Sequence, residues 1–327
     1  MYNECYEKFK RTVNDFDLIP KKTKKIVIGM SGGKDAAIMT HFLIDYKKEM
    51  RPDLELIMVL AQVPHPFYSV VPDSVFDCKL DDRQKKLLKD QAEIINKFLD
   101  YWAKHLELQY IPVQHELIDN RILHMNWSCI MCFNTKMKAF NEYLKKCEDN
   151  TVFACGWTKW DADYTFFSHM LKSNCSDWRQ IKKDNPSKYK ADCIFLASFA
   201  AFPKVEMGIP DKKIFRINPM IELDDVETRT LSKELNIPVL DDICGQLFTH
   251  TFEQDRRYIA KYLEIFSNNQ KYLSTTKESL LFSYRNMKKF MEQSGLLPPV
   301  DEVNGLIYDA YNSDFEEVFN LLKKRDE

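Results

Sequence analysis

The chain has 327 residues, 45% of them hydrophobic and 13% aromatic, with a formal net charge of −2. That length suits one large domain or two modest ones, and the apolar content excludes a disordered chain. The near-neutral balance excludes a global field that draws in a polyanion, so any nucleic-acid contact has to come from local patches.

Residues 1–20 read as an amphipathic helix (Cys5, Phe9, Val13, Phe16), followed by the basic run Lys21 to Lys25. The start, Met1-Tyr2-Asn3-Glu4-Cys5, is not an apolar signal segment, and no stretch reaches the roughly 18 apolar residues of a membrane span. A cytoplasmic protein without membrane contact is the expectation. The apolar run Ile26-Val27-Ile28 predicts a strand over 26–30, and Ser31-Gly32-Gly33-Lys34-Asp35 follows directly. Gly29, Gly32 and Gly33 are three of only eight glycines in the chain. A strand that enters such a loop and then a helix, here from Ala36 to about Lys48, makes a cradle of backbone amides. The helix N-terminus adds partial positive charge, so phosphate is the expected guest.

A second strand is predicted over Leu54 to Val63. The segment 64–82 has three prolines and reads as a long ordered loop. A helix from Gln84 to about His105, a strand over Leu108 to Val113 and a helix from Cys132 to Cys147 come next. Thr151 to Ala154 reads as a strand ending at Gly156, and Asp161 to about Leu171 as a helix. Ser173 to Lys190 looks polar and irregular. A strand over Ile214 to Ile217, a helix from Asp224 to Leu235 and a further strand end at Ile237-Pro238-Val239-Leu240 follow. Strands alternating with helices of this length imply an α/β fold with a doubly wound parallel sheet, whose ligands bind at the carboxyl ends of the strands. The tail 252–327 reads as all helix. The expected organisation is an N-terminal helix over 1–20, an α/β domain carrying the phosphate cradle and the cysteines over 21–250, and a helical region over 251–327.

Nine cysteines in a reducing compartment are thiols or metal ligands rather than disulfides. Cys129-Ile130-Met131-Cys132 lies just ahead of a predicted helix, a spacing that lets two sulfurs meet one metal or form a redox pair. No second such pair exists to complete a structural zinc site. Cys244, in Asp242-Ile243-Cys244-Gly245, follows a predicted strand end, as the glycine loop does. Three thiolates round one centre leave one position open, which suits an iron–sulfur cluster that takes substrate sulfur. A sulfur relay through a disulfide or persulfide, or plain buried thiols, remain as alternatives. Cys155, at a strand end, is the remaining candidate for an auxiliary thiol, with core packing favoured.

The glycine stretch is not the usual P-loop, which needs Gly-x-x-x-x-Gly-Lys before Ser or Thr. It resembles the PP-loop, Ser-Gly-Gly-x-Asp-Ser, of the ATP pyrophosphatases. Together with Cys129, Cys132 and Cys244 in that order, it makes the chain similar to the tRNA 2-thiocytidine synthetase branch of that superfamily. The likeness extends to Gly156-Trp157-Thr158-Lys159-Trp160-Asp161, with Thr165 beyond it, where the family carries Gly-His-x-x-Asp-Asp. Arg216-Ile217-Asn218-Pro219-Met220 approximates its Arg-Pro-Leu turn, and Lys277 to Met287 its C-terminal helix. The resemblance covers roughly residues 24–290. Departures are Ala36 for the last loop serine, Trp157 for histidine, Trp160 for the first aspartate, Lys136 and Lys138 where arginines are usual, and the inserted 64–82.

The resemblance implies an adenine nucleotide alpha hydrolase fold and an ATP-dependent, AMP- and pyrophosphate-forming sulfurtransferase using Mg2+ and a [4Fe-4S] cluster. Ser31, Gly32, Gly33, Lys34 and Asp35 would hold the triphosphate, Asp35 also positioning magnesium, with Gly156 and Asp161 as further nucleotide contacts. A simple helix cap is the other reading of Asp161. Cys129, Cys132 and Cys244 would hold the cluster and, with Asp35, act in catalysis. The acceptor would be a tRNA cytidine, thiolated at its carbonyl with sulfur from a persulfide carrier or sulfide. Oligomeric state is left open, a homodimer included. The rival readings are the same chemistry on a small-molecule acceptor, a non-catalytic nucleotide- or cluster-binding protein, and an amide-forming synthetase.

Overall fold

The computed structural model describes residues 1–62, 97–112, 128–163, 178–195, 203–240 and 312–326, with Tyr262, Ile265, Glu302, Gly305, Leu306, Tyr308 and Asp309. Ile26-Val27-Ile28 is an uninterrupted apolar run, the composition of a strand covered on both faces. It forms β1 (Lys25–Met30), inside a six-stranded sheet of order β3-β2-β1-β4-β6-β5. β2 (Glu55–Gln62) and β4 (Thr151–Cys155) flank β1 in parallel, with Ile28 opposite both Met58 and Ala154. β3 (Leu108–Pro112) pairs in parallel with β2, and β6 (Phe215–Ile217) with β4. Only β5 (Lys204–Glu206), at the edge, is antiparallel. Three residues are too few for an alternating pattern to show, and the sequence gives no sign of this strand.

Parallel neighbours cannot be joined by a tight turn, so helices cross over and cover both faces of the sheet. On one face lie α1 (Tyr2–Asp15), α2 (Lys34–Glu49), the helical turns 97–103 and α6 (Asp225–Glu234). They bury Phe9, Phe42, Trp102 and Leu231 against Ile26, Ile28 and Met30. The Phe42 ring is the hub, with Tyr2, Tyr6 and Phe9 at 5.1, 5.5 and 5.5 Å. Lys8 and Arg11 then reach Glu227 and Glu222 at 2.6 and 2.7 Å, tying α1 to α6 and the turn before it. On the opposite face α3 (Ser128–Leu144) and α5 (Pro186–Phe195) set Met137, Phe140, Leu144 and Tyr189 against Val27, Val59 and Phe153. The described part of the C-terminal region includes α7 (Phe315–Asp326).

Several boundaries differ from the expectation. The first helix stops at Asp15, and Asp17 takes φ +44 where the chain turns. The stretch expected to be irregular contains α4 (Trp178–Asp184) and the start of α5. Its signal was present: the Asn185 side chain accepts the Lys188 N–H at 3.0 Å, and Pro186 opens the helix where a missing N–H costs nothing. Ile237–Leu240 is not a strand. Pro238 lacks a ladder donor, and the Leu240 N–H is committed to the Gly32 carbonyl at 2.9 Å. The inserted 64–82, the helix before residue 97, Thr165, Cys244 and Lys277 to Met287 lie outside the described residues.

Candidate functional site

β1 ends at Met30 in the sheet interior, and the chain must turn at once to enter α2. Gly32 makes that turn with φ +84, a conformation in which a Cβ is strained. A Cβ there would also stand 2.7 Å from the Leu240 Cβ. The Ser31 hydroxyl accepts the Gly33 N–H at 3.2 Å and pins the loop from within. Gly33 is the N-cap of α2 and brings no side-chain acceptor, so the first-turn amides keep their capacity for a ligand. Those amides and the helix dipole favour an anion at this point.

Gly156 closes the site from the next strand. A Cβ on it would lie 2.6 Å from the Ala36 nitrogen and 2.7 Å from its Cα, backbone atoms that cannot swing aside. The turn after β4 is therefore pressed against the first turn of α2. Beyond it, Asp161 Oδ2 accepts the Thr158 N–H at 2.8 Å and the Thr158 hydroxyl at 3.1 Å. The helix over 159–163 thus begins two residues before the expected start. Thr158 leads it, and Asp161, at the third helical position, reaches back to the Thr158 N–H as the acidic partner of a capping box does.

The charges converge on Lys34. Its Nζ donates to both Asp35 oxygens at 2.9 Å and to Asp225 Oδ1 at 2.6 Å. Asp35 also accepts the Thr228 hydroxyl at 2.5 Å, and Asp225 accepts Arg229 at 2.7 Å. Burial pushes Asp35 above the usual carboxylate range, with Asp161 adding to it, while Lys34 and Thr228 pull the other way. At Asp225 burial is outweighed by Lys34 and Arg229, and the carboxyl falls below its ordinary value. Lys34 rises despite burial, because the aspartates outweigh it. Lys34 and Asp35 are thus paired with each other as well as placed at the loop.

Thr228 and Arg229 were missed by sequence reasoning. With Asp225 they stand at i, i+3 and i+4 on a helix capped by Asp224 and Glu227, so one face carries all three. That spacing was the available signal.

Cys129 and Cys132 lie inside the first turns of α3, which starts at Ser128, and not ahead of a helix beginning at Cys132. α3 runs back across the sheet into β4, so its N-terminus belongs to the carboxyl edge, as the glycine loop does. Cys244 and the side chains of Cys129 and Cys132 lie outside what is described, and among the described residues no three of His, Cys, Asp and Glu are grouped so that they could hold a metal ion. Cys5 and Cys147 are buried core thiols. Of the two lysines replacing arginines, Lys138 donates to the Ser313 carbonyl at 3.3 Å.

A mostly parallel sheet with helices on both faces and a glycine loop at the carboxyl end of a central strand is a doubly wound α/β fold. The chain superposes on the U34-tRNA thiolase NcsA from Methanococcus maripaludis, a structure containing its [4Fe-4S] cluster, with a TM-score of 0.56. The match covers 87% of this chain and 78% of that one at 18% identity, a level that establishes a shared fold. No protein-family model matches the chain, and no curated protein matches it in sequence. No helix among the described residues is long and apolar enough to cross a membrane.

Proposed function

We propose that this chain is a PP-loop ATP pyrophosphatase of the thiolase branch, an ATP-dependent enzyme that replaces an acceptor's carbonyl oxygen with sulfur. The observation that carries this reading is the phosphate cradle, Gly32 at positive φ opening an uncapped helix N-terminus, in a fold shared with a tRNA thiolase. Ser31, Gly32 and Gly33 present backbone amides to the triphosphate. Lys34 exchanges part of its pairing with Asp35 and Asp225 for the phosphates and neutralises charge as pyrophosphate departs. Asp35, held by Thr228, is the hard oxygen donor suited to Mg2+. The acceptor oxygen attacks the α-phosphate in line, and Gly156, by pressing the β4 turn onto Ala36, sets how closely an acceptor can approach.

The cysteines fit a soft metal centre on two counts. Cys129 and Cys132 share the opening turns of one helix, and thiolate is the ligand that iron–sulfur clusters use. Leu240 is tied to Gly32, and Cys244 follows four residue steps later, at most roughly 14 Å of chain. Cys129, Cys132 and Cys244 would hold a [4Fe-4S] cluster, whose chemistry there would be to bind sulfide-level sulfur, supplied as sulfide or from a persulfide carrier together with a two-electron donor; that sulfur would displace AMP from the adenylated acceptor.

The acceptor we favour is a tRNA cytidine. A small-molecule acceptor is the second reading, supported by the engagement of Lys138 with Ser313 in place of a free phosphate contact. The deciding experiment is anaerobic purification with iron and sulfide quantitation of the parent, Cys129→Ala, Cys132→Ala and Cys244→Ala. Loss of iron in all three variants is the expected outcome. Unchanged iron, or zinc in its place, defeats the proposal.

A further inference from the structure

Arg216 is the middle residue of β6, in register with Phe153 of β4 and Val205 of β5. Its side chain is 3% exposed, and Nε and Nη2 are buried with no hydrogen-bond partner. Among the described residues no carboxylate forms an ion pair with it. What it does have is the Trp157 ring, whose centroid lies 5.3 Å from the guanidinium carbon.

The guanidinium is thus a desolvated cation for which no described residue supplies a counter-ion. A ring face returns only part of the cost of taking that charge out of water. Cys155 is its diagonal neighbour on β4, yet burial raises that thiol to about 11, with Arg216 pulling the other way. It is therefore a neutral thiol near pH 7 and not the missing anion. A buried cation with open donors is the signature of a group kept for a ligand at the expense of stability.

Position indicates what the ligand brings. Trp157 directly follows Gly156, which is pressed against the first turn of α2 where the phosphate cradle opens. We propose that Arg216, with Trp157 as its floor, is a binding site for a phosphate group arriving at the carboxyl edge of the sheet. The guanidinium fork offers two donors in the geometry that phosphate oxygens accept, and the indole packs against the sugar or base attached to that phosphate. The site itself stands on burial and geometry. That its phosphate belongs to a substrate rests on the function proposed above, where the source is either ATP or a polynucleotide acceptor.

The test uses the full-length protein and follows indole emission and thermal stability with Mg-ATP, pyrophosphate and bulk tRNA as separate probes. Arg216→Met, Arg216→Lys, Trp157→Phe and Gly32→Ala are compared with the parent. Arg216→Met should weaken at least one of the three probes by about tenfold or more while leaving or raising the melting temperature, since it removes a buried charge that no described residue pairs. Arg216→Lys should fall between. Trp157→Phe should lose the emission change on binding and keep most of the affinity. Weakening of Mg-ATP and pyrophosphate assigns the nucleotide as the source, and weakening of tRNA alone assigns the acceptor. If Arg216→Met and Arg216→Lys bind all three probes within about twofold of the parent, the site does not exist. A large fall in melting temperature with unchanged binding in Arg216→Lys makes Arg216 a structural residue and equally overturns the proposal. Should Gly32→Ala lose Mg-ATP while Arg216→Met keeps every probe, only this inference fails. Should Gly32→Ala keep Mg-ATP as well, the proposed function fails whatever Arg216→Met does.

Discussion

Gly32 is the residue on which the glycine loop turns, and its requirement is twofold. It needs a left-handed backbone, and it needs no side chain facing Leu240. Gly32→Ala should therefore cost about 1–2 kcal/mol of stability from backbone strain, with further loss from the collision with Leu240. Urea unfolding checks the stability, and calorimetric titration with Mg-ATP should show affinity lower by about tenfold or more. The five loop residues were legible in the sequence because glycine in so glycine-poor a chain marks a backbone requirement. The pairing of Lys34 with Asp225 was not, because those residues are brought together only by the packing of α6 on α2. Asp161 shows the same limit: its side chain could be read as a cap, but which residue led the helix depended on Thr158.

Elements were most legible where local chemistry and tertiary packing agree. The helix after Asp224 follows from its capping box, and β1 from its apolar run. Ile237–Leu240 misleads because apolar and β-branched residues suit a strand as well as an irregular segment laid on a loop. α4 and α5 were obscured by polar composition, although Asn185-Pro186 carried the start signal.

The contact of α2 with the helical turns at 97–103 carries a titration. His41 Nε2 is 2.8 Å from the Tyr101 hydroxyl, under Trp102 and 5.5 Å from the His105 ring. Burial lowers its pKa to about 4, with His105 acting in the same direction. A histidine depressed on folding is neutral in the native protein and charged when unfolded below about 6.5, so its contribution is intact above that value. It is lost as the pH falls from about 6.5 towards 4. The stability difference between pH 7 and pH 5 should shrink by about 1 kcal/mol in His41→Gln, allowing for partial exposure of the ring. Urea unfolding at the two pH values measures it, and an unchanged difference removes His41 from the acid response.

At the level of the whole molecule, the sheet order and the loop at its carboxyl edge account for the shared fold at only 18% identity. Folds persist through burial patterns that many sequences satisfy, whereas the acceptor is chosen by local charge. The net charge of −2 gives no long-range pull, so on the proposed reading any tRNA binding would have to come from a few phosphate contacts. Filter binding of bulk tRNA should show affinity that falls steeply between about 50 and 200 mM salt. No retention on tRNA at the lower salt would leave the small-molecule acceptor as the reading.

The hydrogen bond from the Leu240 N–H to the Gly32 carbonyl ties the glycine loop to the segment that runs on to Cys244. On the proposed reading, one partner of that bond belongs to the nucleotide pocket, and the other leads into the segment with the third thiol. Thermodynamic reciprocity then requires that stripping the metal alter nucleotide affinity by the same factor by which nucleotide alters metal retention. An enzyme wired in this way would sense damage to its own sulfur-handling centre before spending ATP.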